Sequence, residues 1–434
     1  MRRPLLAATG LAVLALALPA GASAGVFGTD PLAISIDPAK GAPNGPSDHA
    51  TVSGDDRSTR YAAFDSSATN LVSGDGNGVA DVFLWSRPHG SAGLTLSRPT
   101  GDLQRVSVTS SGGEANGEST NPSLDGSIKK KPHCVAFQST ASNLASGDND
   151  KTSDIFVRDF ARNKTALISR GVGPAATDAS IDGSCTNVAF TAGGKVLVAS
   201  VKGGKPKSLG AGSQPDYSLD STAVTWVKGG NVMLKRDGKT TKVGPGSHPT
   251  VSDSESQVWA VTFDTKSKLA RNDNSSGSDV YMRVFSATGG VKKTDLISAS
   301  RKGGSSLGGD SYNGGLTAYA ANRGIVVFVN NHGGMSDLWY RNNHSGNIDD
   351  LAHGAAIANV ATSARANFVA FSSNGDGGSA PRRDRSAPVY DDVPPPVDDV
   401  PPPSDDPYAG AAFTGDTGGV QSVFFKHLID GSAI

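Results

Sequence analysis

Three short stretches of this chain place oxygen-bearing side chains at alternate positions: SGDGNGVAD (73–81), SGDNDKTSD (146–154) and ARNDNSSGSD (270–279). In register, Asp75, Asn77 and Asp81 match Asp148, Asp150 and Asp154, and then Asp273, Ser275 and Asp279. Calcium takes about six to eight hard oxygen ligands in flexible geometry, which a tight loop of alternating Asp and Asn plus backbone carbonyls can supply. Calcium is thus the one cofactor the residues suggest, as a structural ion on Asp75, Asn77, Asp81, Asp148, Asp150 and Asp154. The same residues admit a plainer use, since Asp, Asn and Gly build turns by bonding their side chains to nearby amides. Ser73, Ser146 and Arg271 stand at the first ligand position of the three loops, so the third copy carries a cation there. Asp81, Asp154, Asp279 and Asp337 each sit at the head of a β run and can equally be structural.

Other chemistry finds less support. GSSLG (304–308) has the spacing of a serine nucleophile elbow around Ser306. That elbow works on a strand-to-helix turn of an α/β sheet, and here it lies in a glycine-rich loop. Glycoside hydrolysis uses two carboxylates across a sugar, and the glutamates are confined to Glu114, Glu118 and Glu255. The eight histidines have no metal-ligand spacing. His332 and His344 flank one β run as turn residues. No catalytic residue is assigned.

The loops belong to a larger pattern. RYAAFDSSATNLVSGDGNGVADVFLW (60–85), CVAFQSTASNLASGDNDKTSDIFVRD (134–159) and VWAVTFDTKSKLARNDNSSGSDVYMRV (258–284) each join two β runs through a Gly/Asp turn, the second run opening with Asp. Four more pairs follow the same plan: NVAF with KVLVASV, AVTWV with NVMLKR, GIVVFV with DLWYRNN, and FVAFSS with SVFFKHL. Self-similarity at this spacing with β-type alternation marks a propeller or solenoid built from one small sheet per repeat. A Ser/Asp turn strand precedes the pairs, as in NPSLDGS (121–127), DASIDGS (178–184), QPDYSLDS (214–221) and HPTVSDSES (248–256). A short strand ends most repeats, as in RVSVTS (105–110), TALIS (165–169) and TDLIS (294–298), giving four strands per blade. The last repeat lacks it, and PLAISID (31–37) is expected to supply the outer strand, closing the ring and removing exposed edges. The fold class is all-β, a propeller of seven four-stranded antiparallel blades. The shorter turns of the third and fourth repeats leave a six-bladed ring as the alternative.

The pattern of Ser-Asp-Gly turn, VAF-type strand, Gly-Asp turn and Asp-hydrophobic-aromatic strand resembles the TolB-like, WD-type β-propeller repeats of bacterial exported proteins. The resemblance runs over most of 46–428 and implies a propeller with a binding role at the cell envelope. TolB proteins carry a small α/β domain before the propeller, which the span 25–46 is too short to hold. The Gly/Asp loops resemble the hairpin calcium loops of integrin-type propellers, departing from them at the first ligand. SLDGSIKK (123–130) and SLDSTAVTW (218–226) resemble incomplete sialidase-type boxes, which are themselves structural turns.

Export is written at the start. Arg2 and Arg3, an apolar run from Leu5 to Leu18 and Ala22-Ser23-Ala24 read as a signal peptide over 1–24, leaving 25–434 as one propeller domain outside the cytoplasm, secreted or periplasmic. No later stretch approaches the roughly 20 apolar residues of a membrane span. Without Arg2 and Arg3 the chain has 38 basic and 41 acidic residues, too balanced to attract nucleic acid or anionic membranes. Cys134 and Cys185 stand near the starts of equivalent strands in adjacent repeats. They are expected either to form an inter-blade disulfide or to be two buried thiols. A segment at 374–410, with DDVPPPVDDVPPPSDDPY, breaks the repeat at the hairpin of the last blade. Its prolines and repelling aspartates read as a semi-rigid, disordered acidic arm. The function expected is a monomeric, non-catalytic propeller that binds a protein or cell-envelope component. The alternative is a lyase or glycosidase working at the central channel.

Overall fold

The computed structural model describes residues 32–36, 42–55, 61–86, 102–128, 130–253, 258–316, 324–346, 348–354, 356–363, 368–374 and 420–427. The expected signal segment 1–24, Glu255 and the expected acidic arm from residue 375 onward lie outside them. Every described regular element is a β-strand, and the strands form seven four-stranded antiparallel sheets. Six blades are consecutive in sequence. Blade 1, for example, runs Ser47–Val52, Tyr61–Ser66, Asp81–Ser86 and Asp102–Arg105. The seventh takes Ala358–Thr362, Phe368–Ser373 and Ser422–His427 from the C-terminal end and Leu32–Ala33 from the N-terminal end.

That closure is the expected one. Leu32 pairs with Phe425, the Ile34 amide donates to the Val423 carbonyl at 2.9 Å, and the Val423 amide donates to Ser35 Oγ at 2.9 Å. Ala33, Ile34 and Ile36 are buried. The ring has seven blades, so the six-bladed alternative falls. Blades 3 and 4 have shorter turns because Gly193-Gly194 and Gly229-Gly230 take positive φ at both positions, the two-residue hairpin whose twist matches its strands.

Two expectations need correction. The outer strand of blade 1 is Asp102–Arg105, immediately before most of RVSVTS. Most second and third strands also do not alternate buried and exposed positions: Trp259–Thr265 is buried at every position and Asp81–Ser86 at all but the last. Each blade is sandwiched between two neighbours, so both faces of its middle strands are removed from water. Apolar clusters accordingly fill the spaces between blades, as where Val135, Phe137 and Phe156 of blade 2 meet Ala63, Val82 and Leu84 of blade 1. Alternation returns where a face meets water, as in the outer strand Asp102–Arg105 and in the third strand of blade 4, Asn231–Arg236. Among the described residues no helix is long and apolar enough to cross a membrane.

Candidate functional site

The innermost strand of all seven blades breaks register at the same place. Pairing with the second strand skips between Asp48 and Thr51, Thr120 and Ser123, Thr177 and Ser180, Ser213 and Asp216, Ser247 and Thr250, Tyr312 and Gly315, and Ala358 and Ala361. Each skip holds a non-glycine residue in left-handed conformation: His49, Asn121, Asp178, Gln214, His248, Asn313 and Asn359, with φ from 46° to 55°. That conformation is uncommon outside glycine and least costly for Asn, Asp and His, which accounts for the residue types. Six of these side-chain-bearing positions, with Pro122, Pro215 and Pro249, line a cavity of about 330 Å³ bordered by all seven innermost strands. Gln214 instead reaches sideways, its Oε1 accepting the His248 amide at 3.1 Å.

The bulges free backbone amides, and in blades 2, 3, 5 and 6 a side chain of the preceding blade accepts them, while the His49 amide donates to Asp48 of its own strand at 2.8 Å. Asp65 Oδ2 accepts the Asn121 amide at 2.8 Å, Gln138 Oε1 the Asp178 amide at 3.3 Å and Asp264 Oδ1 the Asn313 amide at 3.4 Å. In blades 1 and 5 the same carboxylates also hold imidazoles. His49 Nδ1 lies 2.7 Å from Asp65, and His248 Nδ1 lies 2.8 Å from Asp264. Both aspartates are buried while the histidine side chains are 37% and 46% exposed. The Asp264 hydrogen bond raises the His248 pKa above 6.5, outweighing burial. For His49, burial pulls the pKa down, but the hydrogen bond and charge of Asp65 leave it raised. A carboxylate at Nδ1 fixes the proton there in the neutral ring and leaves Nε2 for other contacts.

The Gly/Asp loops stand on the hairpins between second and third strands, which all emerge on one face of the ring because the blades repeat around one axis. The structure brings each set of residues together but neutralises each differently. In blade 1, Arg105 places Nη1 3.2 Å from both Asp75 and Asp81 and 2.5 Å from Glu114. Asn77 Nδ2 donates to Asp81 at 2.8 Å. In blade 5, the Tyr281 hydroxyl donates to Asp273 at 2.5 Å, Ser306 Oγ donates to its other oxygen at 3.2 Å, and Ser275 donates to Asp279. Ser306 therefore caps this loop and also accepts the Asn274 and Ser275 amides. Burial and the Asp273 hydrogen bond push the Tyr281 phenol up. In blade 2, ligand oxygens of Asp148, Asp150 and Asp154 gather within 4.8 Å of one another.

The aspartates heading the third strands have a separate, shared duty. Ser107 donates to Asp81 at 2.5 Å, Ser298 to Asp279 at 2.6 Å and Ser169 to Asp154, and each serine accepts the amide after its aspartate. This knot ties the outer chain to the middle of the blade. Cys134 and Cys185 form a disulfide between blades 2 and 3. Asp125 and His133 lie beside it, and burial raises the Asp125 carboxyl to about 7 despite hydrogen bonds from the Cys134 and His133 amides. His332 bonds to Asp337 at the blade-6 hairpin.

Sequence reasoning passed over the channel ring. Its signal was present as His, Asn, Asp or Gln at the third or second position of each innermost strand, in SDHATV, STNPSL, ATDASI, SQPDY, SHPTV, DSYNGG (fourth position) and ANVAT. Asn121, Asp178, Gln214 and His248 read only as parts of Ser/Asp turn strands, and His49, Asn313 and Asn359 gave no reading, because the bulge that gives them left-handed φ is invisible without the strand pairing.

No family model and no curated protein matches the chain. Among solved structures it is similar to TolB from Acinetobacter baumannii, at 11% identity and a TM-score of 0.36, covering 75% of this chain and 64% of that one. A second is the β-propeller domain of the Trilobed protease from Pyrococcus furiosus, described as having an open velcro topology: 12% identity, TM-score 0.42, 75% of this chain and 89% of that one. A third comes from a study of two prolyl endopeptidases: 11% identity, TM-score 0.45, 75% of this chain and 46% of that one. The chain thus spans about half to two thirds of the first and third of these proteins. These likenesses are of fold.

Proposed function

We propose that the chain is an exported, non-catalytic binding propeller that holds a polar protrusion of a protein or other cell-envelope partner at the mouth of its central channel. The observation behind this reading is the seven-fold bulge, which turns amide, imidazole and carboxyl groups toward one axial cavity in blade after blade. Left-handed non-glycine backbone costs energy and persists where the surroundings enforce it, often at ligand sites. The mixture of donors and acceptors suits a polar group. The Cys134–Cys185 disulfide suits an oxidising compartment.

The enzyme alternative would use the same His49 and His248 pairs as general bases. In both pairs Nδ1 is already engaged by a buried aspartate, and the raised pKa of each ring works against its acting as a base, whereas a clasped imidazole with Nε2 toward the cavity suits holding a polar group.

The test immobilises the purified chain and a His49→Asn, His248→Asn double variant against detergent-extracted envelope fractions, identifying retained components by mass spectrometry. A defined component retained by the wild type and lost from the folded double variant supports the channel as the site. Equal retention by both moves binding elsewhere, and release of soluble fragments from envelope polysaccharide by the wild type alone overturns the non-catalytic reading.

A further inference from the structure

The three Gly/Asp loops present one electrostatic problem with three outcomes. Asp75, Asp148 and Asp273 occupy the same loop position, and Asp81, Asp154 and Asp279 head the following strand. Carboxylates so close, with their middle neighbours, repel one another and require a compensating donor or charge. Two loops contain that donor within the fold. Blade 1 sends Arg105 from its outer strand, and blade 5 uses the Tyr281 hydroxyl.

Strand register shows why blade 2 has neither. Arg105 pairs across from Phe83, and the residue pairing with Phe156 at the same place is Leu167. Tyr281 pairs with Phe263, and its counterpart pairing with Phe137 is Phe156, which has no hydroxyl. Asp148 is 93% buried, and among the described residues its Oδ2 receives no hydrogen bond, while Oδ1 accepts only a long one, 3.3 Å, from the Asp150 amide. Asp150 Oδ1 accepts the Thr152 amide and hydroxyl, both at 2.7 Å, and Asp154 Oδ1 accepts from Ser169. Arg170 donates to the Ser146 carbonyl at 2.7 Å and so fastens the loop backbone rather than its carboxylates.

We propose that the blade-2 loop is a calcium site, with Asp148, Asp150 and Asp154 as its carboxylate ligands and nearby loop carbonyls or water completing the shell. Three hard oxygens on a short irregular loop favour Ca²⁺, which accepts flexible geometry, over Mg²⁺, which demands a near-ideal octahedron. The ion would strengthen one particular boundary. Ser153, next to Asp154, exchanges hydrogen bonds with Ala176 of blade 3 on this face, and the disulfide joins the same two blades near the opposite hairpins. The site goes beyond the channel reading and does not depend on it.

The test is calorimetric titration of the purified chain with CaCl2, together with melting curves in CaCl2, MgCl2 and EDTA. The proteins are the wild type, Asp148→Asn and Asp75→Asn. Asp148→Asn keeps the acceptor for the Asp150 amide and removes a buried charge, so it should fold in EDTA with a melting temperature at or above the wild type. At tenfold excess over Kd, calcium should raise the wild-type melting temperature by about 2 °C, given the unfolding entropy of a chain this size. The heat and the shift should vanish in Asp148→Asn and persist in Asp75→Asn. No heat or shift at about 10 mM calcium, a shift that survives Asp148→Asn, or an equal shift with magnesium would each overturn the assignment.

Discussion

Asp216 offers the most direct test of how the inner ring is held. It lies on the innermost strand of blade 4, and its Oδ2 accepts the Val251 amide of blade 5 at 2.7 Å, with Ser180 of blade 3 at 3.5 Å. The residue as a whole keeps some contact with solvent, but its carboxyl group lies deep between blades, and burial raises its pKa from 3.8 to about 7. A raised carboxyl pKa means the folded state binds the proton more tightly than the unfolded chain. The stability it contributes is complete below pH 3.8 and lost as pH rises through about 7. A shift of about three units corresponds to about 4 kcal/mol at most, and the remaining solvent contact brings the expectation to about 2–3 kcal/mol. Asp216→Asn keeps an acceptor for the Val251 amide and cannot ionise. Near pH 3.5 it should match the wild type, and at pH 8 it should be more stable by that amount. The difference corresponds to about 3 °C in melting temperature for a domain of this length. Melting and urea curves of both proteins from pH 3.5 to 8 measure the gap, cancelling the titration of every other group. A gap that does not change with pH, or a variant less stable at pH 8, would show that the Val251 amide stabilises an ionised Asp216 and that the burial argument is wrong.

Further outcomes follow from the same geometry. Replacing Cys134 and Cys185 with Ser should cost about 4 kcal/mol for a closed loop of 51 residues, and reductant should lower the melting temperature of the wild type but not of the variant; equal response of both refutes this. Deleting the chain through Ile36 removes the strand paired to Phe424 and Phe425, so size-exclusion chromatography should find self-association through the bared edge. An unchanged monomer with an unchanged melting temperature would mean the closing strand contributes little. The His49 and His248 ring protons should titrate above 6.5 by NMR, and Asp264→Asn should lower His248 alone. Because both pKa values are raised, the stability from these pairs is complete below pH 6.5 and fades as pH climbs through the folded values. A His248 titration unmoved by Asp264→Asn would refute the clasp.

Much of the architecture was legible in the residues. Paired β runs with Asp at the head of the second, Gly/Asp turns between them, and a lone N-terminal PLAISID are local signals, because strand propensity and turn conformation depend on a few adjacent residues. They led to four-stranded blades, seven or else six in number, with a closing strand, and to two cysteines able to pair across blades; the structure has seven blades and the disulfide. Burial of both faces of the middle strands was not legible, since two-fold alternation assumes one wet face and that depends on the neighbouring blades. The Gly/Asp loops were visible as clusters of ligand-type residues. Whether a loop already contained its own donor was not, because Arg105 and Ser306 lie about 30 residues from the aspartates they meet and reach them only through strand register. The channel ring was hidden for the same reason. A histidine or asparagine beside a proline specifies a turn-like conformation by itself, but only seven bulged strands arranged around one axis turn that conformation into a shared cavity. Local chemistry determined the blades, and the meeting of residues distant in sequence decided what stands at their centre.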